Sequence, residues 1–397
     1  MKVLRIRAIK IDNSTSARKE LAMIGADEAG VNVMIPKAVH RVIKVENVSS
    51  KAAVILKQEM LSKGGEAAVR RGVGNFSIEK SDVLLMGTVR QYNRLISKLR
   101  AQPFGLGKLA EMLCETLNNL NNACQQQGLN CRGYMLPLGS RTIVMGILNV
   151  TPDSFSDAGQ FFDFDIAIEH AKEMVRLGAD IIDIGGESTR PTAEPVSLAA
   201  ELERVIPVLQ RLVKEINVPL SVDTYKAEVA RQALIEGAHI INDVWGLKAE
   251  PELAGVVAGY EDVPLVLMHN QKGTEYGSML DDILDSLRES AGVARAAGVR
   301  RENIILDPGI GFGKDTEQNL EVMHRLWEFK TLGYPLLLGT SRKSMIGNTL
   351  DLPVTERMEG TAATVAFGIA AGADIVRVHD IKEMGRVVRM SDAMVRR

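Results

Sequence analysis

Polar side chains stand directly behind a series of short aliphatic runs in the second part of the chain. Most are carboxylates, amides or cations, which are costly to bury in isolation. Ordinary loop polarity explains some of them, but not their repetition behind so many runs. The pattern therefore indicates one reactive site. Its candidate residues are Asn149, Asp183, Asp223, Asn242, Asp307, Lys343, Arg377 and His379.

The residue types indicate two kinds of ligand group. A buried carboxylate suits the guanidine-like edge of a flat heterocycle, because it accepts two hydrogen bonds at once. The residues of this first set are Asp223, Asn242, Asp307 and Lys343. An amide, a guanidinium and an imidazole, together with a divalent cation, could hold a diphosphate. That second set is Asn149, Arg377 and His379, which follow the first and the last aliphatic runs.

Eight aliphatic runs alternate with helical patterns. One such pattern covers 198–216, where apolar residues are spaced by three and four and Ser197 is a suitable N-cap. Eight units in about 250 residues predict a (β/α)8 TIM barrel, an α/β fold whose active site lies at the carboxyl ends of the strands. The runs are 142–148, 180–184, 220–222, 240–242, 264–268, 303–306, 335–339 and 374–378.

Two phosphate-binding patterns are absent from the sequence. A doubly wound sheet normally has fewer strands and a GxGxxG first turn, whereas the first turn here reads NVTPDSFSDAGQF at 149–161. The segment GIGFGK at 309–314 resembles a Walker A loop, but Pro308 and Asp315 stand where Gly and Ser or Thr are needed. We expect its glycines to let the backbone pass close to a ligand.

Two long loops follow the first and second runs, at 151–162 and 185–195. They contain aromatic, proline and charged residues, among them Phe155, Asp157, Arg190 and Pro191. Long loops at the top of a barrel often act as lids. We therefore expect both loops to contribute to the site.

The chain changes in charge near residue 138. Residues 1–138 carry 21 Lys and Arg against 11 Asp and Glu, a net charge of +10, while residues 139–397 carry 27 against 39, a net of −12. The stretch 117–139, rich in Asn, Gln and Gly, is the predicted linker. Apolar stretches at 52–56 and 83–86 and helical patterns at 57–71 and 108–120 predict a small α+β domain before it.

The sequence thus divides into a basic domain of unknown role at 1–138, which includes a linker from about 117, and the barrel at 139–397. No nucleic-acid-binding motif is visible in the basic domain, so nucleic acid is not an expected partner. The opposite net charges predict instead that the basic domain docks on an acidic barrel surface.

Cysteine usage and the amino terminus predict a cytoplasmic protein. The three cysteines, Cys114, Cys124 and Cys131, are odd in number and fit no zinc spacing, so a reducing compartment fits best. The segment MKVLRIRAIKID lacks the apolar region of a signal peptide. The longest weakly polar run, 361–373, is too short to cross a bilayer, so no membrane partner is expected.

Seven segments, in order and with consistent spacing, resemble the dihydropteroate synthase family. The resemblance implies a transferase of folate biosynthesis that condenses 6-hydroxymethyl-7,8-dihydropterin pyrophosphate with p-aminobenzoate, uses Mg²⁺ and forms a homodimer. The segments are MGILNVTPDSFSDAG (145–159), GADIIDIGGESTRP (178–191), LSVDT (220–224), IINDV (240–244), LDPGIGFGK (306–314), GTSRKS (339–344) and RVHD (377–380).

The resemblance also implies a role for each matching position. The pterin pocket would be formed by Asp223, Asn242, Asp307 and Lys343, with Met268 packing on the ring. The pyrophosphate and Mg²⁺ region would be formed by Asn149, Arg377 and His379 with Asp157 of the first loop, and its metal ligands would be Asn149 and Asp157. Thr189 and Arg190 match the family's second loop, where Thr189 would bind substrate. The p-aminobenzoate pocket would be formed by Phe155, Pro191, Phe312, Lys343 and Ser344. Catalytic roles would fall to Asn149, Asp157, Arg190, Lys343, Arg377 and His379.

Two segments depart from the family pattern. The second loop reads TRPTAE, where Gly usually follows Pro191, and the fifth run ends MHNQKGTEY rather than MHMRG or MHMQG. Two alternatives remain, a methyltetrahydrofolate-dependent methyltransferase and a non-catalytic pterin-binding paralogue. The segments SFSD, ESTRP and RVHD favour the synthase, because a methyltransferase needs neither a diphosphate site nor a p-aminobenzoate site.

Overall fold

The computed structural model describes residues 4–122, 128–151, 164–187 and 196–396. The chain forms two compact units, Met1–Asn122 and Ala123–Arg397. The division falls before the predicted boundary between residues 138 and 139. Residues 117–122 belong to a helix rather than to a linker, and residues 129–138 pack in the core of the second unit.

The first unit is an α+β domain around an antiparallel sheet of three strands, in the order β1-β3-β2. Its elements are α1 (Ser14–Met23), α2 (Glu28–Ala38), β1 (His40–Ser49), α3 (Ser50–Ser62), β2 (Glu66–Val69), β3 (Lys80–Thr88), α4 (Val89–Leu99) and α5 (Leu106–Asn122). Tyr92 of α4 is fully buried in its core and donates a hydrogen bond to the carbonyl of Leu85 at 2.8 Å.

The structure differs from the sequence prediction at two segments of this unit. The apolar stretch 52–56 lies inside α3, and that helix ends at Ser62 rather than continuing to residue 71. Gly64 adopts a left-handed φ of 80°, a conformation that favours glycine and reverses the chain into β2. The predicted patterns at 83–86 and 108–120 lie in β3 and α5.

The second unit is a parallel barrel of eight strands, which confirms the predicted α/β fold. The strands are β6 (Ile143–Asn149), β7 (Ile181–Gly185), β8 (Leu220–Asp223), β9 (Ile240–Asp243), β10 (Leu265–Met268), β11 (Ile304–Asp307), β12 (Leu337–Leu338) and β13 (Ile375–Val378). β6 pairs with both β7 and β13, so the first and last strands are neighbours. A parallel bridge between Leu306 and Leu336 closes the ring.

Helices surround these strands. They are α6 (Phe164–Arg176), α7 (Leu198–Glu215), α8 (Ala227–Ile235), α9 (Glu252–Ala258), α10 (Met279–Ala296), α11 (Thr316–His324), α12 (Ser344–Leu350), α13 (Met358–Ala370) and α14 (Ile381–Val395). As predicted, Ser197 caps α7, since its side chain accepts a hydrogen bond from the Ala200 amide at 3.3 Å. Within the described ranges, every helix is too short or too polar to cross a membrane.

A hairpin fills the amino-terminal mouth of the barrel. It consists of two further strands of the second unit, β4 (Leu129–Cys131) and β5 (Tyr134–Leu136). Its apolar side chains form one cluster with the first inward residues of the barrel strands, such as Ile143 and Ile375. Arg132, at the turn, donates hydrogen bonds to the carbonyls of Leu234 and Ala238 at 2.9 and 2.8 Å. This end of the barrel is therefore part of the core, and a ligand must enter from the carboxyl end.

This packing predicts that Leu129→Ala lowers the free energy of unfolding of the barrel by about 2–4 kcal/mol, because Leu129 is 2% exposed and the hairpin cannot collapse fully into the cavity left behind. Urea unfolding monitored by circular dichroism measures the change. The matched control is Met135→Ala in the same hairpin, where the side chain is 64% exposed and the change should stay within about 0.5 kcal/mol. Equal losses in the free energy of unfolding for the two variants would contradict the packing of this hairpin against the barrel strands.

Candidate active site

Polar side chains from four strands meet at the carboxyl end of the barrel. Arg377 of β13 is the centre of this group. Its Nε donates to Asp183 Oδ2 at 2.6 Å, and its Nη2 donates to Asp223 Oδ2 at 2.7 Å. Asn242 of β9 donates from Nδ2 to Asp183 Oδ2 at 3.1 Å. The structure thus brings together Asp223 and Asn242 of the first predicted set and Arg377 of the second predicted set.

Asp183 is the member of this group to which sequence reasoning gave no role. Its side chain is completely buried, and Oδ1 has no hydrogen-bond partner among the described residues. Its place inside the second aliphatic run, near the carboxyl end of that run, was the available signal. The contacts show why a carboxylate stands there: it balances the charge of Arg377 and fixes the Asn242 amide.

Arg377 was expected beside His379 in the anion region. Its hydrogen bonds are to Asp183 and to Asp223, a member of the expected pterin set. Arg377 also lies near His379 and lowers its pKa, so its place in the anion region stays a prediction. The third nitrogen, Nη1, makes no hydrogen bond to a described residue. Arg377 is therefore held by two carboxylates and keeps one donor group for a ligand.

Asn149 lies next to this group at the end of β6. A Cβ atom placed on Gly185 would lie 3.7 Å from Asn149 Oδ1 and 3.8 Å from Asp223 Oδ2. The glycine therefore leaves open the space between the amide and the carboxylate. Within the described ranges, no group of three or more His, Cys, Asp or Glu side chains is arranged to hold a metal ion.

Burial changes the protonation of two carboxyl groups in the site. It raises the pKa of Asp223 to about 7, against the opposing effect of Arg377. It raises the pKa of Asp307 to about 6, against the opposing effects of the Gly309 amide, which donates to Oδ1 at 2.7 Å, and of Lys343. Both carboxylates are costly to keep ionised without a ligand, so a ligand with cationic or donor character would find strong partners here.

The loop after β11 is built by glycines in the left-handed region. Gly309 has φ 70°, and a Cβ atom there would lie 1.9 Å from the carbonyl oxygen of His269, so no other residue fits. Gly311 has φ 83°, and its Cβ would meet Lys343 Cδ at 2.9 Å. The glycines therefore let the backbone pass close to His269 and Lys343, and the predicted close approach to a ligand stays a prediction.

The buried side chain of Lys314 stabilises this loop through hydrogen bonds. Its Nζ lies 3.0 Å from the carbonyls of Gly309 and Phe312 and 3.0 Å from His269 Nδ1. Burial lowers the pKa of Lys314 to about 7, and burial beside Lys314 lowers the pKa of His269 to about 2. His269 is thus a neutral acceptor for the lysine. Sequence reasoning missed this pair, because Lys314 was considered only as a possible Walker lysine.

Lys343, Phe312 and Met268 form a further wall of the cavity. Lys343 Nζ lies 4.1 Å from the centre of the Phe312 ring, a cation–π contact. Burial, with Arg377 nearby, lowers the pKa of Lys343 to about 8. Met268 is buried at the end of β10 and would lie 3.3 Å from a Cβ on Gly309. Ser344, the first residue of α12, is exposed beside Lys343.

His379 is a neutral imidazole at neutral pH. Burial and the nearby Arg377 lower its pKa to about 4. Its Nδ1 lies 2.9 Å from Ser341 Oγ, and its backbone amide donates to the same oxygen at 3.2 Å. Because Ser341 fixes Nδ1, Nε2 is the nitrogen that remains for a ligand.

Ion pairs and a hydrogen bond hold the residues at the start of the second long loop, Gly186 and Glu187. Lys226 pairs with both Glu187 and the buried Glu201, and Arg204 donates to the Gly186 carbonyl at 2.9 Å. The loop residues themselves lie outside the described residues. This applies to five predicted site residues: Phe155, Asp157, Thr189, Arg190 and Pro191.

The barrel matches known proteins closely. Residues 145–379 match the family model of pterin binding enzymes. The chain is 57% identical over 261 residues to a dihydropteroate synthase of Clostridium beijerinckii, which covers 66% of this chain and 97% of the relative. A crystal structure of the dihydropteroate synthase of Clostridium difficile in the presence of pteroic acid is 54% identical, with a TM-score of 0.64, and covers 66% of this chain and 99% of that one.

A further similarity extends through the first unit. The chain is 44% identical over 390 residues to a probable bifunctional folylpolyglutamate synthase/dihydropteroate synthase of Halobacterium salinarum, with 96% of this chain and 46% of the relative covered. The matched barrel, its seven segments and the contacts at its carboxyl end agree with one another. The chain therefore belongs to the pterin-binding enzymes and, among them, to the dihydropteroate synthase family.

Proposed function

We propose that this chain joins the methylene carbon of 6-hydroxymethyl-7,8-dihydropterin pyrophosphate to the amine of p-aminobenzoate, with release of pyrophosphate. It is a transferase of folate biosynthesis, in keeping with its synthase relatives. The observation that carries the proposal is the buried group of Asp183, Asp223 and Arg377 at the open end of the barrel, beside Asp307.

The pterin ring suits this group. Asp307 is the carboxylate best matched to the amino edge of the ring, because it can accept two hydrogen bonds from neighbouring N–H groups. Asp223 and Asn242 offer an acceptor and an amide to the other polar edge of the ring. Met268 and Lys343 line the same cavity, where a flat ring can pack against the thioether and the lysine stem.

The reaction needs stabilisation of positive charge more than proton transfer. When the C–O bond to the diphosphate breaks, both bonding electrons leave with pyrophosphate, and the methylene cation is delocalised into the pterin ring. Asp223 and Asp307 favour that charge because they are buried and fixed beforehand. The aniline nitrogen then forms the C–N bond and releases a proton to water, and it is nucleophilic enough to need no strong base.

The diphosphate would lie near Asn149, Arg377 and His379. Arg377 has Nη1 available, and His379, neutral and fixed by Ser341, can donate from Nε2. Mg²⁺ would be held by Asn149 and Asp157, with diphosphate oxygens and water completing its shell, because Mg²⁺ prefers oxygen ligands and few protein groups. When bound, the ion would neutralise charge on the leaving pyrophosphate.

The p-aminobenzoate pocket would be completed by the two long loops. Phe312, Lys343 and Ser344 supply an aromatic face, a cation and a hydroxyl for the ring and its carboxylate. The resemblance adds Phe155 and Pro191 from the loops. Thr189 and Arg190, which follow the ion-paired Glu187, would contact the diphosphate or the carboxylate.

The reaction itself is tested with purified full-length chain, pterin pyrophosphate and p-aminobenzoate. We expect 7,8-dihydropteroate and pyrophosphate in equal amounts with Mg²⁺ present, and loss of both when EDTA removes the metal. Absence of both products with Mg²⁺ present would refute the proposal. Methyl transfer from methyltetrahydrofolate would indicate the methyltransferase alternative, and pterin binding without either reaction would indicate the non-catalytic paralogue.

We also propose a homodimer that works in the cytoplasm. Phe367 of α13 and Met390 and Met394 of α14 are each about half exposed or more, and α13 and α14 pack against each other, which gives an apolar surface suited to a second copy. Free, buried Cys131, whose pKa burial raises to about 12, is compatible with a reducing compartment. Light scattering that gives the mass of a single chain would contradict the dimer.

Asp307→Asn should have opposite effects on binding and on stability. Loss of the charge-assisted contact should weaken pterin binding by about 2–4 kcal/mol. The folded-state pKa of Asp307 is about 6, above the ~3.9 of an unfolded aspartate. Ionisation therefore costs stability as the pH rises from about 4 to about 6, and above that range Asn should raise the free energy of unfolding by about 1–3 kcal/mol.

Calorimetry with a dihydropterin and urea unfolding at pH 8 measure the two effects. Asp285→Asn, at an exposed carboxylate of α10, is the matched control and should leave pterin affinity unchanged. Unchanged pterin affinity in Asp307→Asn would remove Asp307 from the pterin site.

The order of binding is a further prediction. If Asp157 and Arg190 contact the diphosphate and its metal, the binding free energy of this first ligand offsets the entropy cost of ordering the loops that carry Phe155 and Pro191. p-Aminobenzoate should then bind at least tenfold more tightly in the presence of Mg²⁺, pyrophosphate and a pterin than to the free enzyme. Arg190→Ala should remove most of this difference and leave pterin affinity nearly unchanged. Equal p-aminobenzoate affinities with and without the other ligands would contradict the ordered scheme.

A further inference from the structure

A basic groove lies on the first unit, between the end of α3 and the outer face of α4. It has a volume of about 700 Å³ and is lined by Lys63, Arg90, Asn93, Arg94, Ser97 and Lys98. All six side chains are polar and four are cationic. They lie in the first unit, outside residues 145–379 that match the pterin binding enzymes.

The cations are arranged in a row by the helix. Arg90, Arg94 and Lys98 are spaced by four residues, so they lie on one face of α4 and span about 12 Å along its axis. The opposite face is buried, with Tyr92 and Leu99 in the core. The core contact therefore fixes which side chains of α4 face outward.

These three charges are not balanced within the part of the chain that the structure describes. Lys63 pairs with Glu59 at 3.3 Å, but Arg90, Arg94 and Lys98 form no ion pair with a described carboxylate. Like charges four residues apart repel each other on a helix. Arg90 also lies in the first turn, where the helix dipole is positive and acidic residues are absent. An anion bound along this row would offset the repulsion between the three cations.

We propose that this groove is a binding site for an oligophosphate, either free or as the phosphate chain of a nucleotide. Two arginine guanidiniums offer forked donor pairs that match phosphate oxygens, and Lys63 and Lys98 add point charges at the ends. Asn93 and Ser97 supply neutral donors between the charges. The volume is within the range of small-molecule sites, about 300–1,000 Å³.

The lining favours an oligophosphate over a nucleic acid. Single-stranded nucleic acids are usually held by aromatic side chains on which bases stack, and no aromatic residue lines this groove. An acidic protein segment would normally find apolar side chains beside the charges, whereas all six residues that line this groove are polar. An oligophosphate needs only donors and positive charge.

Calorimetric titration of the full chain with inorganic tripolyphosphate tests this site. The groove variant is Arg94→Gln/Lys98→Gln, and the control Lys37→Gln/Lys108→Gln removes the same charge from exposed lysines outside the groove. We expect at least tenfold weaker binding at one site in the groove variant and unchanged binding in the control. The barrel is identical in both variants, so any phosphate binding there cancels in the comparison, and synthase activity should be equal.

Thermal unfolding gives a second readout. Without added anion, the groove variant should unfold at a higher temperature than the control, because like-charge repulsion has been removed. Tripolyphosphate should raise the unfolding temperature of the first unit in the wild type and the control, but not in the groove variant. A nucleoside triphosphate that binds more tightly than tripolyphosphate would identify a nucleotide as the source of the phosphate chain; equal affinity would identify the chain alone.

Three results would overturn the proposal. The first is unchanged tripolyphosphate binding in the groove variant. The second is an equal loss of tripolyphosphate affinity in the control variant, which would show that binding depends on the net charge of the chain and not on the groove. The third is a single-stranded RNA or an acidic peptide that binds more tightly than tripolyphosphate and loses that affinity in the groove variant. Failure of the synthase assay would leave these measurements unaffected.

Discussion

The ion pairs between Arg377 and two buried carboxylates are the interaction on which the site depends. A guanidinium inside a barrel needs compensation, and Asp183 and Asp223 supply it from neighbouring strands. One positive charge against two negative ones leaves the pocket with an excess of negative charge. Burial raises the pKa of Asp223 to about 7 against the opposing effect of Arg377, and the negative charge of Asp183 adds to the increase. The pocket is thus prepared for a substrate that becomes positively charged during reaction.

Other features of the barrel support this charge arrangement without taking part in chemistry. Lys314 and neutral His269 brace the loop after β11, and Lys343 lies over Phe312 on the other side of that loop. At the opposite end, carboxylates serve structure instead. Asp374, for example, accepts from Lys330 and from the Leu336 amide at 2.7 and 2.9 Å. Carboxylates at the carboxyl end of the barrel therefore form the candidate site, whereas Asp374 at the amino-terminal end stabilises the fold.

The sequence was sufficient to predict the barrel, because eight aliphatic runs alternate with helical patterns over about 250 residues. It also identified Asp223, Asn242 and Asp307 as neighbours, since strand ends meet at one rim. It could not show that Asp183 would pair with Arg377, because residues 194 positions apart are joined only by ring closure. The hairpin at 129–136 was misread as linker for a related reason: short strands that pack on distant residues carry little local periodicity. The helix at 52–62 shows the same limit, since an apolar stretch fits a buried helix as well as a strand.

Closure of the barrel has a consequence for how the chain is made. β6, the first strand of the ring, is paired on one side with β7 and on the other with β13, the last strand. Asp392 of α14 in turn accepts from the amide and the hydroxyl of Thr142, both at 2.7 Å, just before β6. During synthesis one edge of β6 must wait, unpaired, until more than two hundred further residues have left the ribosome. An open edge of that kind is a template for pairing with other chains. The wait at β6 is therefore the stage of biosynthesis at which a nascent chain most needs protection from its neighbours.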